Sequence, residues 1–421
     1  MSRTLDKRKQ RIFFAVMMLI VAAISAAILE LGLRIYYTDT QSSNWTEFHE
    51  TRGWSLKPGD YWVKPLQRAT SFPLKVNQYG LRDLGLPASP PGSPRVIVLG
   101  DSFTFAKETR TEKMFTRLLQ ERLADRRPGV EVFDAGVPGY GTAQQLLLER
   151  ELHERSKLDG QVYVVAFFTN DILDNLRLSY GNMAPQPLRP GFAVDQNGQA
   201  VLQDLPKNEF DAADDTLAED DSNGGRFKTL SIVKAAAEDW IQTRPTVLRL
   251  LGKMGVKTQI ARMPAVLNGW YRDDVTTKGV ALTAALLRQL QQDVASRGGR
   301  LMVTMIPSPF QVYPETYVQL LEKSFPGDPV VAAFASDTER PERLMRQICS
   351  DAGIPFQDLL SVFVKNNSRS FYIPRDGHLN DAGHALVGEH LADFLLSHWP
   401  DGSETRIESD RAVPAGAVAS R

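Results

Sequence analysis

Short apolar runs alternate with helical segments along much of this 421-residue chain, and this order constrains the fold more than any other feature. Three such runs are RVIVLG (95–100), VEVFDAG (130–136) and QVYVVAFFTND (161–171). The segments that follow the first two runs carry apolar residues at helical spacing. Strands that alternate with helices need crossover connections, so the sequence predicts a parallel sheet with helices on both faces.

The alternation stops after the third run and resumes about a hundred residues later. A helical segment at 279–297 and an apolar run at 300–309 restart it, and a further helix, a short strand near PFQDLL and the helix DAGHALVGEHLADFLLSHW complete it. The interrupting residues include the acidic run NEFDAADDTLAEDDSNGG, which cannot build a core. We therefore interpret 176–275 as an insertion that forms a lid or a substrate surface.

A basic segment, RTLDKRKQR, precedes an uncharged run from Ile12 to Leu29. Eighteen helical residues rise about 27 Å, which is enough to cross a bilayer. A basic flank stays in the cytoplasm, so we predict a basic cytoplasmic tail at 1–11 and a transmembrane signal-anchor at 12–34, with the rest of the chain outside the cytoplasm. The alternative is a cleaved signal peptide, since AISAA offers small residues for cleavage, but the apolar run is longer than a usual signal peptide needs.

The predicted domain organisation follows from these features. After the anchor, a spacer at 35–94 packs on the main domain. The α/β core has two parts, 95–175 and 276–400, which are separated by the insertion at 176–275. A flexible tail covers 401–421.

Composition narrows the classes of partner and site. The 49 basic and 50 acidic residues give a formal charge of -1, which offers no reason to expect nucleic acid as a partner. The single cysteine, Cys349, excludes an intrachain disulfide and a cysteine-rich metal site. It lies in the helical segment RLMRQICSDAG, so we expect it to pack in the core.

Polar residues gather where the predicted strands end, and ligands of open parallel sheets bind at those carboxyl ends. Gly-Asp-Ser follows the first strand, GVPGYG the second and Thr-Asn-Asp the third, while PRDGHLN precedes the last helix. These stretches supply a hydroxyl, a glycine backbone, an amide and an acid beside an imidazole. Acyl transfer by a serine needs that set: a nucleophile, oxyanion donors, a base and a residue that orients the base.

Together the four stretches resemble the conserved blocks of the SGNH (or GDSL) hydrolase family, over roughly half of the chain. The first block is matched by Gly100-Asp101-Ser102, the second by Gly139 and the third by Asn170. Thr169 stands where this family commonly has glycine. The order of the blocks is that of the family.

The last block departs most from the family pattern, which is usually Asp-x-x-His. This chain has Asp376-Gly377-His378, with one residue between the acid and the histidine. Envelope members that act in polysaccharide O-acetylation have a similar short spacing, followed there by tryptophan, where this chain has Leu379.

The resemblance implies a three-layer, flavodoxin-like α/β fold with a central parallel sheet and a site that needs no cofactor or metal. It assigns Ser102 as nucleophile, His378 as base, Asp376 as orienter, and Gly139 and Asn170 as oxyanion donors. The chemistry of the residues agrees. His378 is the one side chain in these blocks that takes a proton near neutral pH, with an expected pKa of about 6–7. The Asn170 amide donates at any pH, and Gly139 has no Cβ to block the backbone.

Alternative roles remain open for several of these residues. Ser102 would be a helix cap in the simplest alternative. Gly136 or Gly141 could supply the backbone donor in place of Gly139, and Asp381 could orient the base in place of Asp376. A metal site would need Asp376, His378 and His384, but their spacing matches no recognised ligand pattern.

The sequence thus predicts a serine esterase or acyltransferase that acts outside the cytoplasm through an acyl-enzyme on Ser102. The expected substrate is an acylated, chiefly acetylated, glycan or a small acylated molecule. Expected partners are the membrane, through residues 12–34, and other envelope polysaccharide proteins. Two alternatives belong to other classes: an inactive, membrane-anchored glycan-binding or scaffold protein, and a lipase or lysophospholipase.

Overall fold

The computed structural model describes residues 7–41, 45–63, 71–86, 89–90, 92–177, 189–203, 263–373 and 376–400. The acidic run of the predicted insertion and the predicted tail at 401–421 lie outside these residues. The strands in chain order are β1 (Thr46–His49), β2 (Gly53–Leu56), β3 (Gly59–Val63), β4 (Phe72–Val76), β5 (Arg95–Gly100), β6 (Glu131–Gly136), β7 (Val162–Phe168), β8 (Phe192–Val194), β9 (Ala200–Leu202), β10 (Arg300–Ile306) and β11 (Phe356–Asp358).

The helices are α1 (Lys7–Gln41), α2 (Ser102–Phe105), α3 (Phe115–Arg126), α4 (Thr142–Glu154), α5 (Asp171–Asp174), α6 (Ala265–Tyr271), α7 (Asp273–Ser296), α8 (Pro309–Val312), α9 (Pro314–Ser324), α10 (Pro329–Ser336), α11 (Arg340–Asp351), α12 (Leu360–Lys365) and α13 (Asp381–His398). A 3₁₀ turn at Thr111–Lys113 precedes α3.

Five strands form one parallel sheet in the order β11-β10-β7-β5-β6, which confirms the predicted α/β fold. From β5 the chain moves outward to β6 and then returns to pair β7 on the other side of β5. The direction of strand addition therefore reverses between β5 and β7. In open α/β sheets the ligand crevice lies at such a reversal, outside the carboxyl ends of the strands.

Both faces of the sheet are buried at its centre, and this explains why the central strands β5, β7 and β10 are almost continuously apolar. Ile97 and Leu99 of β5 belong to one core cluster, and Val96 and Val98 belong to the other. Helices α4, α7 and α11 cover the first face, whereas α3 and α13 cover the second. Cys349 is fully buried within α11, as the sequence predicts. The result is a three-layer sandwich with the sheet in the middle.

Two antiparallel hairpins, β1-β2 and β3-β4, precede the sheet and pack against its first face. Their buried residues include Trp54 and Leu74. The Trp54 indole donates a hydrogen bond to the Pro138 carbonyl at 3.0 Å, and the Arg82 amide donates to the Asp134 carbonyl at 3.2 Å. Much of the predicted spacer is thus part of the hydrophobic core.

Parts of the predicted insertion also pack on the core. The hairpin β8-β9 contacts α7, and α6 lies against α5. Trp270 of α6 is fully buried and donates from its indole nitrogen to the Thr169 carbonyl at 2.6 Å. This contact places α6 over the carboxyl end of β7.

The N-terminal helix α1 contains a 24-residue segment, Lys9–Gly32, that is long and apolar enough to cross a membrane. Its apolar side chains are exposed to solvent rather than packed in the core. A signal sequence near an N-terminus also satisfies these two criteria, so they leave both interpretations of the segment in place.

Helix α2 lies directly on the ends of β5 and β6, and glycine makes this possible. A Cβ on Gly136 would lie 2.7 Å from the Thr104 Cβ and 2.8 Å from the Thr104 carbonyl carbon, and a Cβ on Gly100 would lie 2.8 Å from the same Cβ. These distances are shorter than van der Waals contact. A side chain at either strand end would displace α2.

We predict that Gly136→Ala lowers the free energy of unfolding by about 1–3 kcal/mol, because the added methyl group overpacks the contact between β6 and α2. Urea unfolding of the full chain followed by circular dichroism measures the change. Ser350→Ala, at an exposed position of α11, is the control and should stay within about 0.5 kcal/mol of wild type. An unchanged midpoint for Gly136→Ala would show that the strand end has spare room.

Candidate active site

Ser102 stands at the corner between β5 and α2. Asp101 caps the helix, since its Oδ1 accepts a hydrogen bond from the Phe103 amide at 2.8 Å. The helix is one turn long and ends at Ala106, which adopts a left-handed conformation with φ 51°. Asp101 therefore fills the capping role, and the Ser102 hydroxyl is left for another partner.

The structure brings Ser102, His378 and Asp376 into one chain of hydrogen bonds. The His378 Nε2 lies 2.8 Å from the Ser102 Oγ, and the His378 Nδ1 lies 2.6 Å from the Asp376 Oδ1. The His378 amide also donates to the Asp376 Oδ1 at 3.1 Å. The imidazole is thus held between a hydroxyl and a carboxylate in the geometry of a serine triad.

The short Asp-x-His spacing works through a turn. Gly377 has φ 82°, a left-handed conformation that glycine adopts without strain. The turn lets the Asp376 side chain accept the backbone N–H two residues later, as aspartate commonly does in such turns. One intervening residue is therefore enough to place the carboxylate beside the imidazole.

An aromatic pair supports the imidazole. The Phe103 ring lies 4.8 Å from the His378 ring, measured between centroids, and stacks on the Phe168 ring at 3.5 Å. Both phenylalanines are buried. Because Phe103 follows Ser102 directly, the same short helix positions Ser102 and packs against His378.

Three carboxylates shift the ionisation of His378. Burial of the imidazole lowers its pKa, but the charges of Glu108, Asp376 and Asp101 outweigh burial and raise the pKa to about 9. The side chain is 23 % exposed, so solvent screens these charges in part. The direction of this shift departs from the pKa of about 6–7 expected from the sequence, which did not indicate the additional carboxylates.

Two backbone N–H groups at the strand ends, those of Ser102 and Gly139, are candidate donors to an oxyanion. Strands β6 and β7 flank β5, so Gly139 and Asn170 lie at the strand ends on either side of Ser102. No group among the described residues accepts a hydrogen bond from the amide of Ser102 or of Gly139. Gly139 has φ 77°, which favours glycine there.

Asn170 contributes a side-chain amide beside these groups. Its Nδ2 donates to the Asp174 Oδ2 at 2.9 Å, which uses one of the two N–H bonds of that nitrogen. The Asn170 side chain also acts as a hydrogen-bond donor towards buried Asp101 and lowers the pKa of that acid, so an oxyanion would compete with Asp101 for this amide.

Arg189 links the two flanking loops, and sequence analysis did not single it out. Its Nη2 donates to the Gly139 carbonyl at 2.7 Å, and its Nη1 donates to the Asp174 Oδ1 at 2.8 Å. The guanidinium is buried and also lies over the Trp54 ring. Because Asp174 accepts a hydrogen bond from Asn170, one arginine fixes both loops that carry the predicted oxyanion donors.

Buried acids, Asp101 and Asp171, lie near Ser102 and interact with each other. Burial raises the pKa of Asp101 to about 7. Burial and the charges of Asp101 and Asp174 raise the pKa of Asp171 well above its usual range. These neighbouring acids cannot all ionise at neutral pH without mutual repulsion.

The alternative residues have other contacts. Gly136 packs under α2, and a Cβ on Gly141 would lie 2.6 Å from the Asn175 Oδ1, so both glycines serve close packing. His384 accepts a hydrogen bond from the Phe115 amide at 3.3 Å and stacks on the Phe115 ring. Asp381 lies in the first turn of α13.

A metal is not assigned to this site. Among the described residues, Glu108, Asp376 and His378 form the group in which metal-ligand atoms lie within 4.8 Å of one another. Both imidazole nitrogens already make short hydrogen bonds, to Asp376 and Ser102. A metal would have to break one of them.

Comparison with known proteins places this geometry in a family. The sequence matches the GDSL-like Lipase/Acylhydrolase family over residues 98–386. No curated protein sequence matches the chain.

Solved structures similar to the chain include TesA (13% identity, TM-score 0.36, 72% of this chain and 97% of that one) and the acetyl xylan esterase AlAXEase (14%, 0.34, 73% and 100%). The psychrotrophic esterase EstA from Pseudoalteromonas sp. is also similar (11%, 0.34, 73% and 98%). Because the family match spans well over half of the sequence and includes Ser102, Gly139, Asn170 and His378, the chain belongs to the GDSL-like lipase/acylhydrolase family.

Proposed function

We propose that the protein is a serine-dependent ester hydrolase with Ser102 as nucleophile, His378 as base and Asp376 as the residue that orients the base. The observation that carries this proposal is the hydrogen-bonded chain from the Ser102 hydroxyl to the Asp376 carboxylate. It lies at the reversal point of the sheet. This intact chain favours an enzyme over an inactive binding protein.

In the first half of the reaction, the neutral Nε2 of His378 takes the hydroxyl proton as the Ser102 Oγ attacks the ester carbonyl carbon. The carbonyl oxygen becomes an oxyanion, which accepts hydrogen bonds from the amides of Ser102 and Gly139 and from the Asn170 side chain. The intermediate then expels the alcohol oxygen, which takes the proton back from Nε2. An acyl group remains on Ser102.

In the second half, His378 removes a proton from water, and the resulting attack releases the acid and restores Ser102. An acceptor hydroxyl in place of water would complete an acyl transfer with the same residues. The short Asp-x-His spacing, which resembles that of envelope proteins in polysaccharide O-acetylation, supports an acylated glycan as the substrate class.

We expect a fluorophosphonate probe to label Ser102 alone, because this serine is the one activated by an imidazole. Ser102→Ala should abolish labelling and reduce hydrolysis of nitrophenyl acetate and acetylated xylan by about 10⁶-fold while the far-ultraviolet circular dichroism stays unchanged. Mass spectrometry locates the label, and Ser350→Ala is the matched control. Activity above a few per cent of wild type in Ser102→Ala would refute the nucleophile.

Graded losses should separate the base from its orienter. His378→Ala is expected to cost about 10⁶-fold in kcat, and Asp376→Asn about 10⁴-fold, because the imidazole remains but loses its preferred tautomer. The wild-type kcat/KM should rise with pH through the range near 9, since the protonated imidazole cannot act as a base. If Asp381→Asn were inactive and Asp376→Asn active, the orienter would be Asp381.

We further propose that helix α1 anchors the protein in the membrane, with the basic tail in the cytoplasm and residues 40–421 outside it. The uncharged run from Ile12 to Leu29, within the apolar Lys9–Gly32 segment and next to the basic tail, supports this topology. An alkaline phosphatase fusion after residue 45 should be active, because that enzyme matures outside the cytoplasm. A soluble protein that lacks residues 1–27 would instead show that the segment is a cleaved signal.

A further inference from the structure

Glu108 lies next to the triad, although it belongs to none of the family's blocks. One of its carboxylate oxygens, one Asp376 oxygen and one His378 nitrogen lie within 4.8 Å of one another. The Glu108 side chain is only 5 % exposed. The imidazole therefore lies near two carboxylates. Asp376 accepts the hydrogen bond from Nδ1, and Glu108 lies close without accepting one.

The Glu108 carboxylate is poorly satisfied where it stands. Its Oε1 is buried without a hydrogen-bond partner among the described residues. The Lys107 ammonium lies 3.6 Å from that oxygen, but the lysine side chain is about half exposed. A buried carboxylate without full hydrogen bonding costs free energy, so a nearby positive charge stabilises it.

The backbone after α2 explains how Glu108 reaches this position. Ala106 adopts the left-handed conformation, and its amide closes the helix on the Ser102 carbonyl at 2.9 Å. A turn follows, in which the Thr109 amide donates to the Ala106 carbonyl at 3.0 Å. The chain thus reverses after a single helical turn, and Glu108 returns towards the residue that the helix presents.

We propose that Glu108 is a positioning residue that stabilises the protonated imidazole of His378 and thereby sets the pH range over which the base works. This inference rests on the proposed role of His378. When Ser102 gives up its proton, the imidazolium forms beside two carboxylates instead of one. The same charge also favours the protonated form of the resting imidazole. Glu108 therefore makes His378 a stronger base and moves the pH range in which the neutral imidazole is available to alkaline pH.

Other charges around the imidazole do not replace Glu108. Asp376, through its charge and its hydrogen bond, and Asp101, through its charge, also favour the imidazolium, and the Glu108 charge contributes more than the charge of either aspartate. Two positive charges lie near these carboxylates. The Lys107 charge lowers the pKa of Asp376, and the charges of Glu108 and buried Arg82 attract each other. Removing the Glu108 charge should therefore move the ionisation of His378 towards neutral pH, while Asp376 still orients the ring.

The test compares Glu108→Gln with Glu112→Gln, the same substitution at an exposed position on the 3₁₀ turn. For Glu108→Gln we expect the acid limb of the kcat/KM profile to move down by about 1 pH unit and the alkaline plateau to fall by about tenfold. Glu112→Gln should match wild type in both. A fallen plateau with an unmoved limb would indicate a merely structural role and overturn the proposal.

Glu108→Asp keeps the charge and should keep the limb near its wild-type position. If Glu108→Asp moved the limb as far as Glu108→Gln does, the charge of Glu108 would not be the cause, and the proposal would fail.

A direct titration tests the charge without using activity. The full chain in detergent is labelled with ¹³C at the Cε1 of its six histidines, and His378→Gln assigns the resonance of interest. The midpoint should lie near pH 9 in wild type and about 1 unit lower in Glu108→Gln. A wild-type midpoint at the ordinary histidine value would overturn the proposal even if the variant did not fold.

The two measurements also distinguish this inference from the proposed function. If Ser102→Ala kept its esterase activity while the His378 resonance moved as expected, the nucleophile would be wrong and the effect of Glu108 would stand. If Ser102→Ala were inactive and the resonance did not move, the esterase proposal would stand without Glu108.

Discussion

The hydrogen bond between the Ser102 Oγ and the His378 Nε2 joins residues 276 positions apart, and the proposed ester hydrolysis depends on it. Its two ends belong to opposite halves of the family match. Ser102 is fixed by the end of β5, whereas His378 lies on the loop before α13. Because α13 packs on α3 against the second face of the sheet, the bond forms only when both halves of the core have assembled. Stability of the sandwich and competence of the site are therefore coupled.

Close backbone contacts give this bond its geometry. Helix α2 rests on the strand ends with no room for a Cβ at Gly100 or Gly136, so its position is set by contact with the sheet. Arg189 fixes the flanking loops by joining the Gly139 carbonyl to Asp174. The corner is thus held by packing below and by a buried guanidinium beside it. Because the folded protein already orders the groups of the site, the reaction does not incur the free-energy cost of ordering them.

Sequence analysis predicted the five sheet strands and their flanking helices because buried strands and amphipathic helices leave strong local patterns. It also brought together Ser102, Asp376 and His378 as candidates, since each block ends an element. It did not predict the hairpins β1-β2 and β3-β4, whose short strands gain their burial from the sheet. Glu108 and Arg189 escaped notice for a related reason. Their contacts join residues that are distant in sequence, such as Arg189 and Gly139, 50 positions apart, and no local pattern encodes such a contact.

The electrostatics of the site involve two opposed demands on one imidazole. A base works best when its pKa lies near the working pH. On the proposed role of His378 as base, a pKa raised to about 9 leaves only about 1% of the imidazole neutral at pH 7. The same carboxylates stabilise the imidazolium in the transition state, which favours each competent molecule. Burial acts against both effects, because a desolvated imidazole resists protonation. A substrate that excluded water from the exposed part of His378 would therefore have two opposite effects on the pKa of the imidazole. Desolvation would lower the pKa, and the stronger attraction between the imidazolium and Asp376 would raise it.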